Sequence, residues 1–252
     1  MNKFDNLKKV GIVGMPPLDV IKQLNDNNVA IQDLDTPLVK ADIESTAPFL
    51  PRVYCAILRT VVLNALNVSV DAIYIDIGPG KCDCALHVAT VLEDMLDIPI
   101  IKTKNEDLAG FGTPICTTTM DLMGKFLLIT EGVQTAEPSS TVYSPCQPTA
   151  GFWGVPPRDF SILKLFPDTT HIFGWTRCME NKTPADHQLE MLFNPDIPTV
   201  FYAQSFCAKT ALARHLADKH PHGLYLDSDV TAGGSAKAKI QAFLELSGVD
   251  LG

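Results

Sequence analysis

The chain has 252 residues, enough to bury one large core or two of ordinary size. Hydrophobic residues make up 46%, the formal net charge is −9 and the pI is about 5.0, which argues against the basic patches that nucleic-acid binding requires. No window reaches the ~18 uninterrupted apolar residues of a membrane helix. The opening Met1 to Lys9 lacks the apolar core and cleavage site of a secretory signal, so a soluble, cytoplasmic protein is expected, with no nucleic-acid or membrane partner.

In chain order, Val10 to Met15 reads as a buried strand closed by the rigid turn Pro16-Pro17. Leu18, Val20, Ile21 and Leu24 then fall at helical spacing, and Val29-Ala30-Ile31 returns as a strand. Asp33 and Asp35 follow, about where a dinucleotide fold holds a ribose. The glycines do not follow G-x-G-x-x-G, however, and prolines stand where a pyrophosphate needs free N–H groups.

Val53 to Leu66 predicts a helix apolar on nearly every side and therefore buried. Asp71 to Ile77 predicts a strand running into the turn Gly78 to Cys84, a position where ligands collect in open α/β sheets. A helix from Ala85 to Leu96 and a strand from Ile98 to Ile101 complete the unit. From about Lys104 to Pro148 the pattern does not repeat; Lys125 to Thr130 predicts a strand and Glu137 to Ser140 a surface turn. Beyond it come strands at Thr170 to Trp175, Thr199 to Ala203 and Gly223 to Leu226, a short helix from His187 to Phe193, and a last helix from Ala236 to Leu246. The loop Asp229 to Ser235 carries glycines and hydroxyls suited to a phosphate or carboxylate, although such loops more often only connect.

One motif occurs twice. Gly11-Ile12-Val13-Gly14-Met15-Pro16-Pro17-Leu18-Asp19 returns as Gly151-Phe152-Trp153-Gly154-Val155-Pro156-Pro157-Arg158-Asp159. Each copy is followed by a cysteine at a helix start, Cys55 or Cys207, and later by a strand, Ala72 to Asp76 or Gly223 to Asp227. The expected fold is α/β, with two Rossmann-like three-layer halves related by internal duplication: residues 1–105, a connector with a strand over 106–147, and residues 148–252. Asp76 and Asp227 stand at matching strand ends, as bases, ligand contacts or helix caps. Trp153 and Trp175 read as core or interface residues.

Seven cysteines in an apparently cytoplasmic chain more often bind metal or react than form disulfides, though two or three are expected to be buried small hydrophobes. Cys55 and Cys207 begin predicted helices, while Cys82 and Cys178 follow strands. Helix N-termini depress thiol pKa values and make thiolate available. Cys82 and Cys84 stand too close in sequence for both to be easy ligands of one tetrahedral zinc, and no second pair completes a zinc site. The pair His220 and His222, between a helix and a strand, reads as solvated surface rather than as a metal site. Neither a G-x-S-x-G elbow nor a P-loop is present.

The run Gly14-Met15-Pro16-Pro17-Leu18-Asp19-Val20-Ile21, then Leu50-Pro51-Arg52-Val53-Tyr54-Cys55-Ala56-Ile57-Leu58-Arg59-Thr60, a strand starting at Asp71, and Cys82-Asp83 before a helix resembles subunits of the 2-hydroxyacyl-CoA dehydratase and benzoyl-CoA reductase family. The resemblance covers roughly residues 10–105 and implies a [4Fe-4S] or related cluster, with Cys55 and Cys82 as ligands. The second half is more loosely similar to the nitrogenase component-1 type of domain, whose three loop cysteines, in the order of Cys146, Cys178 and Cys207, hold a cluster at a subunit interface. Together they imply a redox protein with the candidate set Cys55, Cys82, Cys178 and Cys207, a small-molecule substrate and a possible homo- or hetero-dimer. Two other readings stay open: a non-catalytic module for a small ligand or cofactor precursor, and a transferase or oxidoreductase using a nucleotide at Gly11 to Pro17 and Asp33 or Asp35.

Overall fold

The first half is a four-stranded parallel sheet of order β2-β1-β3-β4, built from β1 (Lys9–Val13), β2 (Ala30–Asp33), β3 (Ala72–Asp76) and β4 (Ile100–Thr103). The second repeats that order as β6-β5-β7-β8, from β5 (Ala150–Gly154), β6 (Thr170–Phe173), β7 (Thr199–Gln204) and β8 (Gly223–Ser228). The computed structural model describes residues 6–108, 114–135, 137, 141–174, 180, 183 and 187–251. The central strands β3, β5 and β7 are buried along their whole length, as parallel strands covered on both faces must be.

Helices cover both faces of each sheet. In the first half α1 (Leu18–Asp26) packs Ile21 and Leu24 on the side of Val10, Ile12 and Tyr74. On the other face α2 (Ala56–Asn67) and α3 (Asp83–Met95) bring Val61, Val62, Val88 and Leu92 against Ile73 and Ile75. In the second half α4 (Leu122–Val133) and α7 (Gly234–Leu246) cover Phe152, Val200, Tyr202 and Leu226. The opposite face, with Trp153 and Phe201, is covered by α6 (Thr210–Lys219); a short α5 (His187–Glu190) accepts the Trp153 indole N–H at the Glu190 carbonyl, 2.7 Å away.

The repeated motif has a structural explanation in both copies. The first glycine sits inside a strand where a side chain has no room: a Cβ at Gly11 would meet Leu34 Cδ1 at 2.6 Å, and one at Gly151 would collide with Thr199 and Phe173. The second glycine takes a positive φ, +70° at Gly14 and +144° at Gly154, which turns the chain off the strand and into the Pro-Pro segment. The second motif's Asp159 caps the short 3₁₀ segment Phe160–Leu165 by accepting from the Ser161 N–H at 2.9 Å.

Three expectations need correction. Lys125 to Thr130 is part of helix α4, so the connector carries a helix where a strand was predicted; Leu122, Phe126, Ile129 and Val133 recur at helical spacing and are buried, and Asp121 caps the N-terminus. The strand matching β3 in the sheet order is β7, while β8 occupies the edge position of β4. By topology Cys207, after β7, therefore corresponds to Cys82, after β3, rather than to Cys55. His220 is buried rather than solvated: its Nδ1 accepts from the His222 N–H at 3.0 Å, leaving Nε2–H to donate to the Asn194 carbonyl at 2.9 Å, and its ring packs on Phe193 and Phe201. Cys178 and Trp175 lie outside the described residues.

Candidate functional site

Helix α2 joins the two halves. It is apolar all round because it is buried twice: Leu58, Val61, Val62 and Ala65 enter the first core, while Ile57 packs against the second. Its N-cap is Cys55, and α3 begins with Cys82 as N-cap and Cys84 in its first turn. Both helix starts lie at the carboxyl end of the first sheet, where ligands enter folds of this kind. The carboxyl end of β7 delivers Cys207 to the same place through the turn Gln204-Ser205-Phe206-Cys207, closed by a Cys207 N–H to Gln204 carbonyl bond of 3.0 Å. Phe206 holds φ +65° there, an unfavourable conformation for a bulky residue, and strain of this kind clusters at functional sites.

Four thiols thereby come within electrostatic range of one another. Cys55 and Cys207 interact directly, Cys82 feels Cys84 and Cys55, and Cys207 feels Cys82. The Tyr54 hydroxyl lies over Cys84; burial and then that contact push its pKa up. The interaction with Cys207, followed by burial, drives the Cys55 thiol well above its ordinary range, outweighing the downward pull of the Ile57 and Leu58 amides. Cys207 moves the other way, lowered first by Cys55 and then by the backbone at Lys209. Cys82 is raised, chiefly by burial. The expectation that a helix N-terminus depresses each thiol therefore fails for Cys55 and Cys82, where neighbouring sulfurs and desolvation act against it. Of the three, Cys207 is the thiol whose pKa is lowered.

Of the predicted set, the structure brings together Cys55, Cys82 and Cys207. Cys84, set aside on sequence because of its spacing from Cys82, joins them through its interaction with Cys82. Cys116 and Cys146 lie elsewhere, with the Cys146 N–H bonded to the Thr117 carbonyl at 2.8 Å and its Sγ 3.7 Å from His171 Nε2. Beneath them Lys125 is fully buried, its ammonium donating to the carbonyls of Thr170 at 2.5 Å and Asp168 at 3.2 Å. None of the described cysteines is in a disulfide.

Among the described residues no three Cys, His, Asp or Glu side chains surround one point as a single metal ion requires. A cluster makes a different demand, since each of its irons takes its own thiolate and the ligands stand apart. The four sulfurs, carried by three loops, are of the donor type a cluster takes, with Cys55 and Cys207 in direct contact rather than apart.

The nucleotide-like corner of the first half is already bonded. Asp35 Oδ2 accepts from the Gly14 N–H at 2.6 Å, and Asp33, wholly buried, accepts the Asp35 N–H at 3.0 Å. Asp107 takes the Leu18 N–H at the start of α1 at 2.9 Å, the amide a pyrophosphate would use. Asp76 accepts from the Asn105 N–H at 2.7 Å and faces Lys81 Nζ at 3.7 Å; Asp227 accepts from the Ser205 hydroxyl at 2.7 Å. Neither caps a helix. A pocket of about 270 Å³ at the start of α7 is lined by Ser228, Thr231, Gly233, Ser235 and Lys239, the loop noted for anions, and it does not include the cysteines.

No protein-family model matches the chain, and no curated protein matches it either.

Proposed function

We propose that the chain is a cytoplasmic redox protein, two duplicated α/β units that hold an iron-sulfur cluster between them and act on a small-molecule substrate. The observation that carries this reading is the convergence of Cys55, Cys82, Cys84 and Cys207 from both sheets' carboxyl ends. Cysteine thiolates are the usual cluster ligands, and a fold that brings four of them near one another without pairing them as disulfides supports that use. A bound cluster would supply one-electron transfer and, at an incompletely ligated iron, a Lewis-acid position for a substrate oxygen.

The chain's own residues have separable parts in this. Cys207, whose pKa is lowered, gives up its proton more readily than Cys55 and Cys82, whose pKa values are raised; all three lose protons on ligation, so loading weakens as pH falls. Val53 and Phe206, close in sequence to Cys55 and Cys207, are both exposed and present apolar surface to solvent. Helix α2 fixes Cys55 against the second half through Ile57.

The direct interaction of Cys55 with Cys207 favours a second reading, a metal-free dithiol that cycles with a disulfide. Anaerobic purification followed by an absorption spectrum and iron and sulfide analysis separates the two. The cluster reading expects a brown protein with about four irons per chain or dimer. It also expects iron to drop in Cys55→Ser, Cys82→Ser and Cys207→Ser, and to persist in Cys146→Ser. A protein that stays colourless after reconstitution, and whose Cys55 and Cys207 thiols disappear on mild oxidation and return on reduction, assigns it to the dithiol class.

A further inference from the structure

Arg158 closes the second Gly-x-x-Gly-x-Pro-Pro segment and reaches across to the first half, where its Nη1 donates to Thr60 Oγ1 of α2 at 2.9 Å. It is half-buried, and no described carboxylate stands within ion-pair distance of it. Burial lowers its pKa first; the charged group acting with it is another cation, Arg59. Arg59 is 2% exposed, and its Nε has no acceptor among the described residues.

The local charges do not balance. Glu44 is shared by two arginines, its Oε1 2.8 Å from Arg59 Nη2 and its Oε2 2.5 Å from Arg52 Nε. Arg158's neighbour Asp159 is committed elsewhere, accepting the N–H groups of Ser161 at 2.9 Å and Ala232 at 3.0 Å. Two guanidinium groups thus share Glu44, and Arg158 has no described carboxylate beside it. Taking a cation even partly out of water without a counter-charge is unfavourable, and a second cation beside it adds repulsion.

A second unsatisfied group lies on the neighbouring strand. Gln204 ends β7, which pairs with β5, the strand that leads into the Arg158 segment, and is 1% exposed. Neither Nε2 nor Oε1 of its amide has a partner among the described residues. A buried amide left unbonded loses its hydrogen bonds to water and gains none in return, so both features weaken the fold unless something else uses them. They sit close to the thiols: Gln204 is three residues before Cys207, and Thr60 is five residues after Cys55, roughly 7–8 Å along the helix axis at 1.5 Å per residue.

We propose that Arg158, backed by Arg59 and flanked by the Gln204 amide, binds an oxyanion, the carboxylate or phosphate of an acidic small molecule whose other end reaches Cys55 and Cys207. A guanidinium offers five N–H donors in a planar fork that matches either group in bidentate fashion, and only one of Arg158's is committed to a described acceptor. The amide adds a donor and an acceptor, which a ligand carrying a neighbouring hydroxyl or carbonyl satisfies. This deepens the redox reading by naming the substrate class. It rests on that reading only for what happens at the thiols.

The test is thermal unfolding of the full, metal-free, reduced chain with inorganic phosphate or with succinate, each against sodium chloride of equal ionic strength. A ligand that binds the native state alone raises the midpoint as its concentration passes the dissociation constant. At least one of the two anions raises it beyond the chloride control; a response to succinate alone identifies a carboxylate ligand, and one to phosphate alone a phosphorylated one. Arg158→Met weakens the response at least tenfold while raising the ligand-free midpoint, because it removes an unpaired buried charge. Arg158→Lys keeps the charge, loses the fork and retains a weakened response. Gln204→Met lowers anion affinity with no loss of ligand-free stability. The proposal is overturned if neither anion exceeds chloride, or if the response survives unchanged in Arg158→Met or, should that variant not fold, in Arg158→Lys. Cys207→Ser keeps the anion response even where cluster loading fails, so the two readings stand or fall separately.

Discussion

Cys55 and Cys207 carry the same functional group, yet their acidities move apart because the contact between them favours one proton over two or none. The thiol of Cys55 supports negative charge on Cys207, so the first deprotonation becomes easier and the second harder. In the reduced, metal-free chain, alkylation by iodoacetamide is therefore expected to begin at Cys207 below the ordinary thiol range, with Cys55 silent until well above it. Cys55→Ala removes the supporting S–H and moves the Cys207 midpoint upward; peptide mapping across a pH series reads both. An unchanged midpoint in that variant means that the backbone at Lys209 sets the acidity. Sequence made Cys55 and Cys82 legible because each precedes an apolar helical pattern at the end of a turn. Cys84 was lost to an argument about a single tetrahedral ion. Arg158 and Gln204 gave no local signal, since a guanidinium without a counter-ion is defined by what surrounds it.

Helix α4 shows at the level of elements where periodicity was misread. Lys125-Phe126-Leu127-Leu128-Ile129-Thr130 is a short apolar run, and six residues cannot separate a buried strand from part of a buried helix. The wider window decides it: Leu122, Phe126, Ile129 and Val133 are buried, Leu127 is 51% exposed, and Lys125 points inward to satisfy two carbonyls. Phe126, edge-on to Phe152 with ring centroids 5.4 Å apart, anchors the helix on the second sheet. Phe126→Ala is expected to cost about 3–5 kcal/mol in chemical denaturation, and Leu127→Ala less than about 0.5 kcal/mol. Comparable losses at both positions would contradict the helical register. The strands and the remaining helices were legible, with ends shifted by a few residues, because parallel strands and amphipathic helices differ in period. The β3 to β8 correspondence misled for another reason: Ala72-Ile73-Tyr74-Ile75-Asp76 and Gly223-Leu224-Tyr225-Leu226-Asp227 look alike, but sheet order depends on pairing that local composition does not encode.

At the scale of the molecule, the two sheets have the same strand order and meet through α2, so the candidate ligands are divided between halves: Cys55, Cys82 and Cys84 from one, Cys207 from the other. A cluster bound by both sides links their unfolding, because it binds the native arrangement and loses its ligand geometry when either half opens. At a loading equivalent to 100 times the dissociation constant the linkage amounts to about 2.7 kcal/mol. Reconstitution with iron and sulfide is therefore expected to merge the unfolding of the halves into one transition at a higher midpoint, followed by hydrogen exchange in β3 and β7 together. Removal of the iron by a chelator reverses the shift, and Cys207→Ser confines the remaining protection to β3 and the helices beside it. Protection of the first half alone in the unsubstituted chain would place the cluster on Cys55, Cys82 and Cys84 only and leave Cys207 as a thiolate facing the substrate. The two outcomes differ in what the second half is for: in the first it completes the metal site, and in the second it brings Cys207 and Arg158 to a ligand held over a cluster that the first half binds unaided.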